Sequence, residues 1–228
     1  MSNLDQLPLN LPHRPALGRD DFLMADCNAD AVAWIDRWPA WPGVLPGVAI
    51  HGPAAAGKSH LAAVWQTASK AVYVDATRLR GDQVRGDLQD HRHVIIDNLD
   101  NTANPEAVFH LFNLVVERQG SLLVLSRQAP GRLNLGLNDL QSRLALLQAV
   151  AIRAPDEALL AELMRKLFRD RQLRADDDVI DYLLRRMERS FAAVNAIVAQ
   201  LDQTALAHHR KVTLSLARQV LSQHRFNE

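Results

Sequence analysis

A phosphate-binding loop lies directly after a short apolar run and restricts what the first part of this chain can fold into. Residues 52–59 read Gly-Pro-Ala-Ala-Ala-Gly-Lys-Ser, and only His51 separates them from the apolar run 48–50. Such a loop needs a strand before it and a helix after it, because the amide groups at the helix start must face the phosphates. The match therefore predicts a strand, a loop and a helix that bind a nucleoside di- or triphosphate.

The residue types of this loop suit a phosphate chain and its metal ion. Gly52 and Gly57 allow the backbone to curl around the β-phosphate. Lys58 carries a positive charge toward the β- and γ-phosphates, and Ser59 offers its hydroxyl to Mg²⁺. We therefore expect the nucleotide to contact Gly52, Pro53, Ala54, Ala55, Ala56, Gly57, Lys58 and Ser59.

Three more short apolar runs follow the loop and are separated by helical stretches. The runs are 71–75, 94–97 and 122–125, and the clearest helical stretch between them is 105–118. Short apolar strands that alternate with helices are typical of a parallel sheet covered by helices on both faces. The sequence predicts an α/β nucleotide-binding domain over residues 17–154.

The pattern changes after Pro155, where helical periodicity becomes continuous. Helices are predicted over 156–169, 176–186, 190–208 and 214–222, with Val212-Thr213 as the one short strand candidate. A small all-helical lid domain over residues 155–228 is therefore expected to follow the α/β domain.

Two segments precede the loop. The proline-containing residues 1–16 predict a flexible N-terminal tail. Residues 19–38 predict a turn followed by a helix, because Ala31, Trp34, Ile35 and Trp38 have the spacing of one apolar helix face.

Charge and composition exclude several classes of protein. The 26 basic residues balance 26 acidic ones, so direct binding of DNA is expected to be weak or absent. A group of basic residues on one lid helix is interpreted as a solvated face: Arg165, Lys166, Arg169, Arg171 and Arg174. The single cysteine, Cys27, excludes an internal disulfide, and neither a membrane span nor a signal peptide is evident. We expect a cytoplasmic protein without membrane contact.

A carboxylate ends the apolar run 94–97. Asp97 lies where an aspartate at the end of a buried strand binds Mg²⁺ through water beside Ser59. Many hydrolytic ATPases of this class have a second carboxylate at the next position, but here the residue is Asn98, which cannot accept a proton. Asp100 is an alternative general base if the backbone turns there. The sequence therefore predicts nucleotide binding with weak intrinsic hydrolysis, and any enzymatic role of the chain itself stays uncertain.

Two further polar positions are candidates for contact with a nucleotide. Ser126 or Arg127, at the end of the fourth strand, is placed to reach a γ-phosphate. Arg143 lies in a predicted helix whose Leu140 and Leu144 face inward, so its guanidinium projects toward a neighbouring surface. Such an arginine stabilises a transferring phosphoryl group across an interface, although an ordinary surface arginine fits the pattern equally well.

Taken together, these residues resemble the AAA+ module of the DnaA family. The resemblance rests on the phosphate-binding loop with its following His60-Leu61, on the strand 94–98, on the segment 133–144 and on the helical end of the chain. It covers roughly residues 17 to 222. It implies an adenine nucleotide, ADP or ATP, with Mg²⁺ at Ser59 and Asp97, and it adds His60 to the nucleotide contacts. Arg143 matches the family's arginine finger.

The short form of the chain resembles the regulatory Hda type within this family. The chain ends soon after the lid, and we expect no helix-turn-helix domain after it. In the Hda type a short N-terminal peptide docks on the β sliding clamp of DNA polymerase III, and residues 6–11 are similar to that peptide. The resemblance implies clamp contacts by Gln6, Leu7, Leu9 and Leu11, whereas Pro8 and Asn10 depart from the commonest choices. It also implies stimulation of ATP hydrolysis by DnaA, which inactivates the initiator.

The lid departs from the family at one position. An arginine of the third lid helix commonly contacts the nucleotide, but alignment places Ala192 there. Arg189 lies three residues earlier, about one helical turn away, and is the candidate to replace it.

Other functions remain open at this stage. A DnaC-like helicase loader shares the AAA+ core, but such loaders carry an N-terminal helicase-binding domain, and only about sixteen residues precede the core here. A nucleic-acid motor is disfavoured by Asn98 and by zero net charge. Both the working nucleotide and self-association into a homo-oligomer also remain open.

Overall fold

The computed structural model describes residues 18–19, 21–43, 46–81, 84–88, 90–208 and 211–224. The chain divides into two compact units at the boundary between Ala154 and Pro155. The described residues before that boundary form an α/β unit, and those after it form a helical unit.

The α/β unit is built on a parallel five-stranded sheet. Its strands are β1 (Gly47–His51), β2 (Val72–Asp75), β3 (Val94–Asp97), β4 (Leu122–Ser126) and β5 (Gln148–Ala151). They lie in the order β2-β3-β4-β1-β5, and each neighbouring pair is parallel. The predicted parallel sheet is therefore confirmed.

Five α-helices belong to the described part of this unit. They are α1 (Ala29–Asp36), α2 (Lys58–Ser69), α3 (Val84–Leu88), α4 (Pro105–Glu117) and α5 (Asn138–Leu144). Short 3₁₀ helices cover Leu99–Asn101 and Pro130–Arg132. Helix α4 begins where Pro105 follows Asn104, whose side chain accepts a hydrogen bond from the amide of Ala107 at 3.0 Å.

The central strands form the core of the sheet. β3 and β4 are buried along their whole length, and in β1 only the last residue is partly exposed. Leu111 and Phe112 of α4 are fully buried in the same core as Ile96 and Val124. Continuous apolar strands are buried in this way when both faces of a parallel sheet are covered.

The sequence missed two elements of the α/β unit and misplaced the end of a third. The short helix α3 and the edge strand β5 have no counterpart among the predictions. An apolar run, 149–152, does mark β5, but half of it is alanine, which favours helices as well, and only Val150 of the strand is buried. Helix α1 ends at Asp36, and its buried face is Ala31, Val32 and Ile35. Trp38 lies beyond the helix in a turn, and the residue before a proline is disfavoured in a helix, so the predicted apolar face ran too far.

The second unit consists of helices in its described part. They are α6 (Glu157–Asp170), α7 (Asp177–Leu184), α8 (Phe191–His208) and α9 (Leu214–His224). Asp156 caps α6 by accepting a hydrogen bond from the amide of Leu159 at 2.7 Å. Val212 forms only an isolated parallel bridge with Ala175. The all-helical lid is confirmed, with helix ends within a few residues of the predicted ones.

No described helix combines the length and the apolar character needed to cross a membrane.

Packing around Gly120 provides a test of this architecture. A Cβ added at Gly120 would lie 1.7 Å from the backbone oxygen of Arg92, whereas a Cβ at Gly131 would meet nothing within 4 Å. We expect Gly120→Ala to lower the free energy of unfolding by about 1–3 kcal/mol, because the backbone before β3 must move. Gly131→Ala is the matched control and should change it little. Urea unfolding of both variants checks this, and equal stabilities would contradict the packing.

Candidate nucleotide-binding site

The phosphate-binding loop connects β1 to α2 and depends on a left-handed glycine. Gly57 has φ = +87° at the N-cap of α2. A Cβ at this position would be strained, and it would lie 2.8 Å from the ring of Phe22. Because α2 begins at Lys58, the unpaired amides of its first turn face the loop. The loop thus has the conformation and donors that suit an anion.

The ammonium group of Lys58 lies over the loop. Its Nζ donates to the backbone oxygens of Gly52 at 2.8 Å and Pro53 at 2.7 Å. Partial burial lowers the pKa of Lys58, against the opposing effects of Asp97 and Asp100. Burial is also the main cause that lowers the pKa of His51, the last residue of β1. Lys58 is therefore the cation that the loop places closest to where phosphates bind.

Asp97 lies beside the start of α2, as the sequence predicted. Its carboxylate is only 9% exposed, and Oδ1 accepts a hydrogen bond from the amide of Asn98 at 2.7 Å. Oδ2 accepts hydrogen bonds from the hydroxyl of Ser59, at 3.4 Å, and from the hydroxyl of Tyr73. Burial, followed by the bond to Asp97, raises the pKa of Tyr73, so the phenol is a protonated donor. Ser59 and Asp97 are 38 positions apart in the sequence, and the fold brings them into contact.

These two side chains fit a magnesium ion. A hydroxyl and a carboxylate are hard oxygen ligands, which Mg²⁺ prefers, and Mg²⁺ commonly takes its other ligands from phosphates and water. Within the described ranges, no group of three or more His, Cys, Asp and Glu side chains could bind a metal by itself. A site of this kind therefore needs the phosphates to complete it.

The polar residues after Asp97 are engaged in local hydrogen bonds. Asn98 has φ = +57°, and its side-chain Nδ2 donates to Oδ1 of Asp75 at 3.3 Å. The carboxylate of Asp100 accepts hydrogen bonds from the backbone amides of Arg127 (2.9 and 2.7 Å) and Gln128 (3.1 Å). Asp100 thus joins the turn after β3 to the turn after β4, which is a positioning role rather than that of a general base.

The end of β4 lies at the same edge of the sheet. Ser126 is 2% exposed, and its hydroxyl donates to the backbone oxygen of Gln128 at 2.6 Å. The side chain of Arg127 is exposed while its amide is bound by Asp100. Of the two candidates for contact with a γ-phosphate, Arg127 therefore has the freer side chain.

A segment that the sequence assigned only to a turn packs on the loop. The Nε2 of His60 lies 2.8 Å from the backbone oxygen of Gly18, and the rings of His60 and Phe22 meet edge to face at 5.2 Å. Asn28, 3% exposed, fixes this segment by accepting from the amide of Ala25 and donating to the oxygen of Leu23, both at 2.9 Å. The sequence offers one signal for this packing: an asparagine, Asn28, directly precedes the apolar face of α1.

The remaining predicted site residues are not brought to the loop by any described contact. Arg143 is half-buried on α5, beside the buried Leu140 and Leu144, and no carboxylate of the described residues pairs with it. Arg189 pairs with Glu157 at 3.0 Å within the helical unit, and Ala192 is exposed. The proposed clamp contacts Gln6, Leu7, Leu9 and Leu11 lie outside the described residues.

The three hydrogen bonds to Asp100 make its structural role measurable. We expect Asp100→Ala to lower the free energy of unfolding by about 1.5–3 kcal/mol, because charge-assisted bonds to two amides are lost. Hydrogen exchange at Arg127 and Gln128 should become faster. Asp90→Ala is the control, since Asp90 is exposed and has no hydrogen bond or ion pair with other described residues. Unchanged exchange at both amides in Asp100→Ala would contradict this role.

Known proteins resemble this chain in two ways: a family model matches its lid, and solved structures share its fold. Residues 156–221 match the family model "Hda, lid domain". The crystal structure of domain III of the replication initiation protein DnaA from Thermotoga maritima is similar to this chain with a TM-score of 0.77 at 18% identity, covering 93% of this chain and 98% of that one. AMPPCP-bound DnaA from Aquifex aeolicus has a TM-score of 0.72 at 16% identity, covering 93% and 71%.

A more distant protein shares the same architecture. A variant of RuvB from Thermotoga maritima matches with a TM-score of 0.70 at 12% identity, covering 91% of this chain and 72% of that chain. Identities this low establish the fold alone, whereas the lid match connects the helical unit to one family. The Hda-type lid, together with the fold shared with domain III of DnaA, supports an AAA+ protein of the Hda/DnaA type.

Proposed function

We propose that this protein binds an adenine nucleotide and regulates the initiation of DNA replication by stimulating ATP hydrolysis on DnaA. The observation that carries the proposal is an intact phosphate-binding loop beside Asp97 in a protein with an Hda-type lid, while Asn98 and Asp100 are both engaged elsewhere. The site is suited to binding a nucleotide, and its own capacity for hydrolysis is weak. The catalytic effect is therefore exerted on a partner.

Three features support nucleotide binding. The first turn of α2 and Lys58 supply donors and positive charge for the phosphates, and Ser59 with Asp97 supplies the oxygen ligands that Mg²⁺ prefers. A bound Mg²⁺ would neutralise phosphate charge at this position. AMPPCP occupies DnaA of Aquifex aeolicus, a protein of similar fold. ADP is the proposed resting ligand, with Pro53, Ala54, Ala55, Ala56 and His60 completing the contacts.

Arg143 is the proposed arginine finger for the partner's nucleotide. Two buried leucines fix α5 to the core, while the neighbouring guanidinium is half-buried and free of carboxylates among the described residues. A guanidinium in this state is available to a phosphoryl group of another molecule, and arginine fingers contribute about 10³- to 10⁵-fold in rate. DnaA in its ATP-bound form is the partner that this family resemblance indicates.

The proposed recruitment site is the N-terminal peptide. Gln6, Leu7, Leu9 and Leu11 would bind the β sliding clamp of DNA polymerase III, because an extended peptide with alternate apolar side chains suits a hydrophobic groove.

Zero net charge supports weak or absent direct contact with DNA. The proposed location is the cytoplasm, and self-association into a homo-oligomer stays part of the hypothesis.

Nucleotide binding is tested by removing the cation over the loop. Lys58→Ala should weaken the affinity for a fluorescent ADP analogue by about 10- to 100-fold, because charge-assisted bonds to the phosphates are lost. Lys70→Ala is the control, since Lys70 lies at the opposite end of α2 and its ammonium group donates to the nearby backbone oxygen of Thr67. Fluorescence titration measures both affinities. Equal affinity in wild type and Lys58→Ala would contradict the assigned site.

The regulatory role is tested by reconstitution. We expect the purified protein, mixed with DNA-loaded β clamp and ATP-bound DnaA, to accelerate the conversion of DnaA to its ADP form. Arg143→Ala should lose this stimulation by at least about 10³-fold while it retains nucleotide and clamp binding. Arg118→Ala is a control, since Arg118 does not lie on α5 and its guanidinium donates to the backbone oxygen of His91. Removal of residues 6–11 should abolish clamp binding and the clamp-dependent stimulation of hydrolysis by DnaA.

The outcomes separate the proposal from its rival. Clamp-dependent hydrolysis that disappears in Arg143→Ala supports both the partner and the arginine finger. Absence of both clamp binding and stimulation by the wild type would overturn the regulatory role and favour a DnaC-like helicase loader, which shares the core but not these partners.

A further inference from the structure

We infer that Tyr73 is a positioning residue that fixes the Asp97 carboxylate for Mg²⁺ in the nucleotide site. The inference rests on the proposed nucleotide-binding function and names a residue that the phosphate-binding loop does not include. It follows from three observations: the strand register, the hydrogen bonds on the two oxygens of Asp97, and the exposure of the tyrosine ring.

The sheet places the two side chains on one face. β2 pairs with β3 in parallel register, with Tyr73 opposite Ile95 and Asp75 opposite Asp97. Side chains alternate between faces along a strand, so Tyr73, Ile95 and Asp97 share one face. Tyr73 therefore reaches Asp97 along the diagonal between neighbouring strands, a distance that a long aromatic side chain spans.

The hydrogen bonds leave the Asp97 carboxylate little rotational freedom. The amide of Asn98 fixes Oδ1, and the hydroxyls of Tyr73 and Ser59 donate to Oδ2. The Ser59 hydroxyl can donate to Oδ2 while its oxygen binds Mg²⁺, but at 3.4 Å this hydrogen bond is long. Tyr73 is therefore the main side-chain donor that fixes Oδ2. Groups that orient a metal ligand through a hydrogen bond commonly affect metal affinity by about 10- to 100-fold.

The exposure of Tyr73 argues against a purely packing role. The residue is 44% exposed, although its hydroxyl is directed to a carboxylate that is only 9% exposed. A core tyrosine would bury its ring and expose its polar end, whereas here the polar end is the part that makes the internal contact. The position at the carboxyl edge of the sheet also places the phenol beside Ser59 rather than beneath the helices.

The chain provides a matched control for the phenol. Its second tyrosine, Tyr182, lies in the helical unit, where its ring contacts the guanidinium of Arg186 at 4.0 Å. Tyr73→Phe and Tyr182→Phe remove the same hydroxyl and keep the ring. Only the first of these changes removes a hydrogen bond to Asp97.

The experiment measures how Mg²⁺ strengthens binding of a fluorescent ADP analogue. Wild type, Tyr73→Phe and Tyr182→Phe are each titrated with MgCl₂ after nucleotide affinity has been measured in EDTA. We expect Tyr73→Phe to need about tenfold more Mg²⁺ for half of the effect, with affinity in EDTA and thermal stability unchanged. Tyr182→Phe should match wild type. In an Asp97→Asn background, Tyr73→Phe should have no further effect, because it acts through Asp97.

Each alternative result overturns a defined part of the argument. An unchanged or lower Mg²⁺ requirement in Tyr73→Phe overturns the positioning role. Weaker binding already in EDTA also overturns it, because a loss without metal indicates a role in folding or in nucleotide contact. If nucleotide affinity of the wild type does not depend on Mg²⁺, the metal site and this inference are overturned, whereas the proposed nucleotide binding stands. Absence of nucleotide binding by wild type overturns the proposed function itself.

Discussion

The parallel register of the sheet is the constraint on which the candidate site depends. Because all described strands run the same way, their carboxyl ends meet at one edge: His51 is paired with Ser126, and Asp75 with Asp97. The phosphate-binding loop leaves from this edge, so Lys58 and Ser59 meet Asp97 without any long loop between them. A slip of one residue in β3 would turn Asp97 to the opposite face and remove the contact.

The hydrogen bonds at this edge support the proposal that the chain binds a nucleotide and hydrolyses it only weakly. The backbone oxygens of the loop hold Lys58 where phosphate oxygens can replace them, and partial burial strengthens any charge interaction there. The carboxylate that could activate water is missing at Asn98, and Asp100 supports two backbone amides instead. The same polar residues that a hydrolytic enzyme uses for chemistry are used here to hold two turns together, which is consistent with a nucleotide that acts as a structural ligand.

The sequence predicted the parts of the site that follow from local pattern and missed those that depend on contacts across the fold. The loop and the strand ending at Asp97 were evident because glycine spacing and continuous apolar runs are visible in the sequence itself. β5 was missed although the apolar run 149–152 marks it, because a short run that is half alanine does not distinguish a strand from a helix. Phe22 and Tyr73 were missed for another reason: each acquires its role from a neighbour far away in sequence, which no local periodicity encodes.

The proposed action on a partner follows from how α5 is anchored. Leu140 and Leu144 are at most 1% exposed, so the helix is fixed to the core, whereas Leu146, just beyond it, is 70% exposed. A guanidinium on a fixed helix loses less conformational freedom on binding than one on a free loop, and an adjacent exposed leucine adds apolar area to the same surface. Arg143 can therefore be presented to another molecule at low entropic cost, as the proposed function requires. Because α5 and the phosphate-binding loop are separate elements, the proposed weak hydrolysis by this chain is compatible with the proposed stimulation of a partner.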